Sequence, residues 1–406
     1  MSKSKPNQDR HITLPDGFEA AGVRCGIKQA EVEDLAIIAS RRDASAAMVL
    51  TTNQIVGAPI LWNRSVFPRG YGKARAIVIN AGCSNVCTGQ RGLKDARTMA
   101  SLTGRGIGAK TEQVLVASTG IIGQPLPMGK IRAGIAQAAD QLGGEDDAAV
   151  ARAILTTDTR PKSAMAKVDI EGKQVTVAGI CKGSGMIAPS MATMIAVLTT
   201  DAAVSPSALH RALTRVTEHS FNAVTIDSDT STSDTVAAFA SGAAGNKSLT
   251  TRSAGFEPFV RALGDVCSSL AWQLAADGEG ANRVIEVRVR GARNPKEAKL
   301  AAKAVADSPL VKTAVHGQDP NWGRIAMALG KSAAKVDAER LKIRIAGSTV
   351  FTRGTGRKFD AEKLSKRMGA DVVTIEADLG LGDGQYTALT CDLSREYITI
   401  NADYHT

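Results

Sequence analysis

Apolar residues fall along this chain in two rhythms. Residues 76–80 (AIVIN) and 113–117 (QVLVA) are short unbroken apolar runs between glycine-bearing stretches, the pattern of strands covered on both faces. Ile285, Val287 and Val289 alternate with Glu286, Arg288 and Arg290, which predicts a strand with one wet face. The other rhythm is helical. Ile131, Ile135, Ala138 and Leu142 predict an amphipathic helix over 129–142. Ser205 before Pro206 reads as an N-cap with proline in the first turn, with Leu209, Leu213 and Val216 as the buried stripe, and Asn294 before Pro295 repeats the signal. A hydroxyl-rich turn over 227–234 (DSDTSTSD) is expected to cap a helix from Ser233. Near the end, Tyr397, Thr399 and Asn401 alternate with Ile398, Ile400 and Ala402, which predicts a strand. Strands and helices are mixed throughout, as in a layered α/β or α+β fold.

Composition narrows the class. The 406 residues are 44% hydrophobic and 22% charged, so disordered, collagenous and membrane architectures are poor explanations. No apolar run approaches the roughly 20 residues of a membrane span, and the polar start lacks the apolar segment of a secretory signal, so a cytoplasmic protein is expected. The net charge of +10 invites a nucleic-acid partner, but basic residues are scattered and aromatics are only 4%, which leaves solubility and one anionic substrate pocket as the better account. Of the six cysteines only Cys83 and Cys87 are close, without the second ligand pair of a zinc site, so reduced thiols are expected. The polar and glycine-rich stretches at 143–147 and 242–255 read as surface loops rather than linkers, and composition places no domain boundary.

Several motifs promise chemistry and fail on inspection. Residues 104–111 (GRGIGAKT) approach a phosphate-binding loop, but Ala109 replaces its second glycine, and the flanks read helix then strand, the reverse of what that loop needs. The acidic stretch 227–234 lacks the glycine and terminal glutamate of a calcium loop. His11, His210, His219, His316 and His405 show no metal-binding spacing, so no metal is expected. Two stretches differ in kind. In 182–200 (KGSGMIAPSMATMIAVLTT), glycines permit an unusual backbone path, Pro189 stops any helix, and Thr193 heads an apolar strand. A threonine hydroxyl is a poor nucleophile without a base, and one source of that base is the residue's own free α-amine, which requires a cut between Ala192 and Thr193. In 117–127 (ASTGIIGQPLP), Thr119 and Gly120 are expected in a sharp turn whose N–H groups could hold an oxyanion.

These residues resemble the glutamate N-acetyltransferases, also called ornithine acetyltransferases, of arginine biosynthesis. The likeness runs from Gly17 through FEAAGVRCGIK, CTGQRGLKDA, ASTGIIGQPLP, KGSGMIAPSMATM, DSDTSTSDT, DGEGA and DPNWGRI to the terminal INADYHT. The resemblance implies an α/β fold in a layered α/β/β/α arrangement, related to self-cleaving aminopeptidases. It implies a proenzyme cut between Ala192 and Thr193 into chains 1–192 and 193–406, with Thr193 as nucleophile and Thr119 and Gly120 as oxyanion hole. Thr156, Lys182, Thr193, Glu279, Asn401 and Thr406 match the family's substrate-binding positions, with Thr157 a rival for Thr156. The implied reaction is ping-pong acetyl transfer from N-acetylornithine to glutamate, without a cofactor. The implied assembly is a heterotetramer of two copies of each chain, with neither nucleic acid nor membrane as partner. Whether acetyl-CoA also serves as a co-substrate is left open. Cys83 and Ser84, Ser190, and Ser228 and Ser233 depart from the family's usual residues and bear on specificity and processing speed. Two other readings compete: a self-processed aminopeptidase or amidohydrolase of the same fold, in which water takes the acyl group, and a nucleotide or nucleic-acid binder using 104–111.

Overall fold

The computed structural model describes residues 12–143, 147–187 and 194–403. Ser190, Ala192, Thr193 and Thr406 lie outside the described residues.

The first part of the chain forms β1 (Phe18–Val23), β2 (Leu35–Leu50), α1 (Ala58–Val66), β3 (Tyr71–Cys83), α2 (Gly89–Gly106), β4 (Val114–Ile121), α3 (Met128–Asp140), α4 (Asp147–Ala153), β5 (Lys162–Ile170), β6 (Lys173–Lys182), β7 (Ile195–Thr200), α5 (Pro206–Glu218), β8 (Thr235–Ala240) and α6 (Phe256–Ala276). Its strands make one hydrogen-bonded sheet in the order β4-β3-β2-β8-β7-β6-β5, with β1 beside β2. The long β2 is the hinge of this sheet. It exposes residues 41–43 in its middle, and its pairing with β3 shifts between Ala39 and Ala44. Before the shift β2 pairs with β1 and β3; beyond it, it reaches β8.

Burial shows how the layers stack. Ile77, Ile79, Leu115 and Ala117 from β3 and β4 share one buried cluster with Ile180, Ile195, Val197 and Phe239 from β6 to β8. Among the described residues α4 alone of the helices contributes fully buried members, with Val66 at the end of α1 packed against the edge, so the two halves of the sheet cover each other. The outer face of the β2–β4 half carries α1, α2 and α3, and the outer face of the β5–β8 half carries α5 and α6. The result is α/β/β/α.

The second part adds β9 (Val284–Ala292), α7 (Pro295–Ala306), α8 (Pro309–His316), α9 (Trp322–Gly330), β10 (Lys342–Ile345), β11 (Ser348–Thr352), β12 (Thr355–Gly356), α10 (Ala361–Met368), β13 (Val372–Asp378), β14 (Gly384–Cys391) and α11 (Arg395–Asp403). These strands form a separate sheet, β12-β11-β10-β13-β9-β14, packed with α7–α10 in a core of its own. The Thr225 amide donates to the Leu389 carbonyl and joins the two parts.

The cap signals are realised: the Ser205 hydroxyl accepts from the Ala208 amide and the Asn294 side chain from the Glu297 amide. Ile285, Val287 and Val289 are buried while Arg288 and Arg290 are exposed. The helix expected over 129–142 is α3. Three expectations need correction. The segment after 227–234 is the fully buried strand β8, not a helix. The C-terminal segment is α11, not a strand. Thr119 and Gly120 lie inside β4, opposite Ala81 and Gly82 of β3, because parallel pairing extends to Ile121 and no turn intervenes. The cysteines are free thiols; Cys87 is exposed, Cys25 half-buried and the other four buried. Among the described residues no helix is long and apolar enough to cross a membrane.

Candidate active site

A solvent-open cleft of about 600 Å³ lies where the C-terminal ends of β4 and β6 meet the segments before β8 and after α6. Its lining includes Thr119, Gly120, Thr156, Thr157, Lys182, Glu279 and Asn401, which are far apart in sequence. Every described residue that the resemblance gives a catalytic or substrate-binding role therefore lines this cleft.

The end of β4 is shaped by close strand approach. Gly120 has φ +123°, and a Cβ there would stand 2.3 Å from the Gly82 carbonyl carbon, so only glycine fits. Buried Asn80 ties the two strands, accepting from the Ser118 hydroxyl at 2.6 Å and donating to the Cys83 carbonyl at 2.8 Å. Thr119, almost fully buried, accepts a hydrogen bond from Lys182 Nζ at 3.3 Å. A hydroxyl that accepts in this way keeps its own proton for a second partner.

Lys182 ends β6 opposite Ile195, so β7 starts against it. Its side chain is 1% exposed. Burial lowers its pKa from the usual lysine value, against the attraction of Asp158. Beyond it, Gly183 (φ +146°) and Met186 (φ +52°) turn the chain, and the Met186 and Ile187 amides donate to the Asp227 carboxylate at 2.6 and 2.8 Å. Buried Asp234 performs the same service on the far side, accepting the Met194 amide at 2.9 Å. Burial raises its pKa well above the usual carboxyl value, against that amide and Lys182. Its other oxygen has no partner among the described residues.

Glu279 follows α6 with its amide on the Ser184 carbonyl at 2.8 Å. Its carboxylate lies against Gly185, where a Cβ would come within 2.3 Å of Oε2, and accepts from Asn401 Nδ2 at 2.8 Å. Asn401 sits on α11, which is docked by the Ser394 hydroxyl on the Gly280 carbonyl and by Tyr397 Oη on Asp227. Of the two rival threonines, Thr157 shares a 2.7 Å hydrogen bond with Ser184, whereas the Thr156 hydroxyl has no partner among the described residues.

Ser84, Ile122, Gly185, Met186 and Ser231 to Ser233 also line the cleft and were not singled out as site residues. Gly185 and Met186 lie within the stretch quoted for its glycines, and 231–233 within the acidic stretch read as a turn. Asp158, Lys162, Asp234 and Asp277 sit behind the lining; Asp234 and Asp277 lie inside the quoted stretches DSDTSTSDT and DGEGA without being given a role there, and Lys162 meets Asp277 from 115 positions away. Among the described residues no group of three His, Cys, Asp or Glu is placed to hold a metal ion.

Comparison with known proteins gives one answer. The ArgJ family pattern matches residues 19–406. The chain is 46% identical over 399 residues to the arginine biosynthesis bifunctional protein ArgJ of Geobacillus kaustophilus, covering 98% of this chain and 97% of that protein. It is 44% identical over 397 residues to that of Symbiobacterium thermophilum, covering 97% and 98%. The crystal structure of ArgJ from Bacillus halodurans matches with a TM-score of 0.50 at 42% identity, covering 51% of this chain and 97% of that one.

Proposed function

The chain belongs to the ArgJ family, and from that premise we propose that it transfers the acetyl group of N-acetylornithine to glutamate through an acetyl-Thr193 intermediate, as an acyltransferase of arginine biosynthesis. The observation that carries the reading is the meeting of Thr119, Gly120, a buried lysine (Lys182) and a carboxylate (Glu279) in one cleft, with Lys182 paired in register to Ile195, two positions after Thr193 in the sequence.

The chemistry needs two acyl transfers on one nucleophile. In the first, Thr193 Oγ attacks the Ala192 carbonyl, the peptide nitrogen leaves as the Thr193 α-amine, and water hydrolyses the ester, freeing the Ala192 carboxylate and restoring the Thr193 hydroxyl. That amine has an ordinary pKa of about 7.7 to 8.0, suited to a general base near neutral pH. In the second, it takes the Thr193 hydroxyl proton as Oγ attacks the acetyl carbonyl of N-acetylornithine. The oxyanion is held by the Thr119 hydroxyl proton and the Gly120 N–H, and collapse gives acetyl-Thr193 and ornithine. The glutamate amine then attacks the ester and restores the enzyme, a ping-pong cycle. Lys182 pairs with the substrate α-carboxylate and Glu279 with the ornithine ammonium. Thr156, whose hydroxyl has no partner among the described residues, is favoured over Thr157 as a further contact, and Asn401 and Thr406 are the remaining substrate-binding positions. The match of a solved ArgJ chain to about half of this one supports division into chains 1–192 and 193–406, which we propose pair into a cytoplasmic heterotetramer.

Incubation with N-acetylornithine, with and without glutamate, tests this reading. Ornithine release that depends on glutamate supports acetyl transfer; release at full rate without it points to the hydrolase. Replacing N-acetylornithine by acetyl-CoA tests the second donor.

A further inference from the structure

Beneath the cleft, the Lys162 ammonium at the start of β5 is fully buried between two carboxylates, 2.6 Å from Asp158 Oδ1 and 2.5 Å from Asp277 Oδ2. Each carboxylate holds a different segment of the cleft wall. Asp158 accepts the Gly183 amide at 2.6 Å and the Thr156 amide at 3.1 Å. Asp277 accepts the Thr159 amide at 3.2 Å and the Thr159 hydroxyl, and stands two residues before Glu279. One lysine therefore ties together the segments that carry Thr156, Lys182 and Glu279, and Asn401 joins through Glu279. The charges alternate along the group: Arg160, 3.8 Å from Asp277, then Asp277, Lys162 and Asp158, with Lys182 in the cleft wall as the next cation acting on Asp158.

A buried ion group of this kind gains little stability over well-packed apolar side chains, because desolvation consumes most of the attraction. Its effect is on geometry and charge. We propose that Lys162, Asp158 and Asp277 form the positioning unit of the cleft, fixing the spacing of Thr156, Lys182 and Glu279 and, through Asp158, keeping the buried Lys182 ammonium charged to receive a substrate carboxylate. The substrate half of this statement rests on the acetyltransferase reading; the charge half stands without it.

The surroundings of Lys182 bear on the charge half. Burial pushes its pKa down; Asp158 is the foremost charge opposing this, aided by Asp234 and Glu279, while Lys162 adds to the lowering. Lys28, from the β1–β2 connection, faces it as a further like charge. Burial alone would raise the Asp158 carboxyl, but Lys182 and Lys162 hold it down at about 2, so it is ionised at any working pH.

The test is the protonation midpoint of Lys182, read by NMR of lysine labelled at the ε-carbon, with its signal assigned by its loss in Lys182→Met. In the unaltered protein Lys182 is expected to be charged at neutral pH. Asp158→Asn should move the midpoint down by about one unit or more, and Lys162→Gln should move it up. Opposite signs from two changes in one cluster cannot come from general loosening. In parallel, the KM for N-acetylornithine should rise at the pH where Lys182 loses its proton, with kcat changed by less than about threefold. A neutral Lys182 in the unaltered protein, or an unmoved midpoint in either folded variant, overturns the proposal. If Asp158→Asn does not fold, the unaltered protein and Lys162→Gln decide. Midpoints that move as expected in a protein without acetyl transfer support the charge unit and contradict the acetyltransferase reading alone.

Discussion

Thr119 serves both reactions of the proposed cycle, since self-cleavage and acetyl transfer each pass through a tetrahedral oxyanion. Losing one donor from such a site costs about 100- to 1,000-fold in rate. Thr119→Ala should slow both by that order, read by the time course of chain cleavage on a gel and by ornithine release. Unchanged cleavage would leave the oxyanion to backbone groups. Asp234 supplies a stability prediction of definite sign. Its folded pKa is raised, so below the unfolded value of about 3.9 both states are protonated and nothing is lost. As pH rises from that value toward the raised folded pKa, the unfolded chain ionises while the folded one stays protonated, and the protein is destabilised. Asp234→Asn keeps an oxygen for the Met194 amide and removes this penalty, so its melting temperature should match the wild type near pH 3.5 and exceed it increasingly toward pH 8. A lower melting temperature at pH 8 would mean that the charge itself is stabilising.

At the scale of elements, two glycines set how closely segments meet over Glu279. Gly185→Ala would place a Cβ 2.3 Å from the Glu279 carboxylate, and Gly280→Ala, at φ +69°, one 2.6 Å from the Tyr397 amide of α11. Both changes should raise the KM for N-acetylornithine severalfold while cleavage before Thr193 proceeds, because neither touches β4 or β7. Loss of cleavage in Gly280→Ala would show that α11 also supports processing. The element carrying Asn401 is also where the sequence pattern misled. Alternation over 397–402 suggested a strand, yet no residue of α11 is buried and Ile398 is 67% exposed. Periodicity reports a buried face, and an element without one gives a period with no meaning. Thr119 and Gly120 were misplaced in a turn because extension of β4 to Ile121 depends on its partner β3. The caps at Ser205 and Asn294 were legible because their partners lie three residues away.

Across the whole molecule, the α/β class was legible in mixed two-residue and helical periods, but the folding of one sheet into two layers was not, since it rests on a bend in β2 that only pairing reveals. The candidates that line the cleft were named through resemblance in motifs spread over the chain; the ion group beneath them was not, because Lys162 and Asp277 meet from 115 positions apart. The account is a claim about one covalent cycle at Thr193. The most direct measurement is intact mass spectrometry with N-terminal sequencing of the purified protein, before and after N-acetylornithine and then glutamate. Division after residue 192 of this 42.3 kDa chain should give pieces of about 20 and 22 kDa, the heavier beginning with Thr193. The heavier piece should gain the mass of one acetyl group with N-acetylornithine and lose it on addition of glutamate, and Thr193→Ala should remain a single, inactive chain. A single uncut chain with full activity, or turnover through a heavier piece that never carries an acetyl group, would contradict the account.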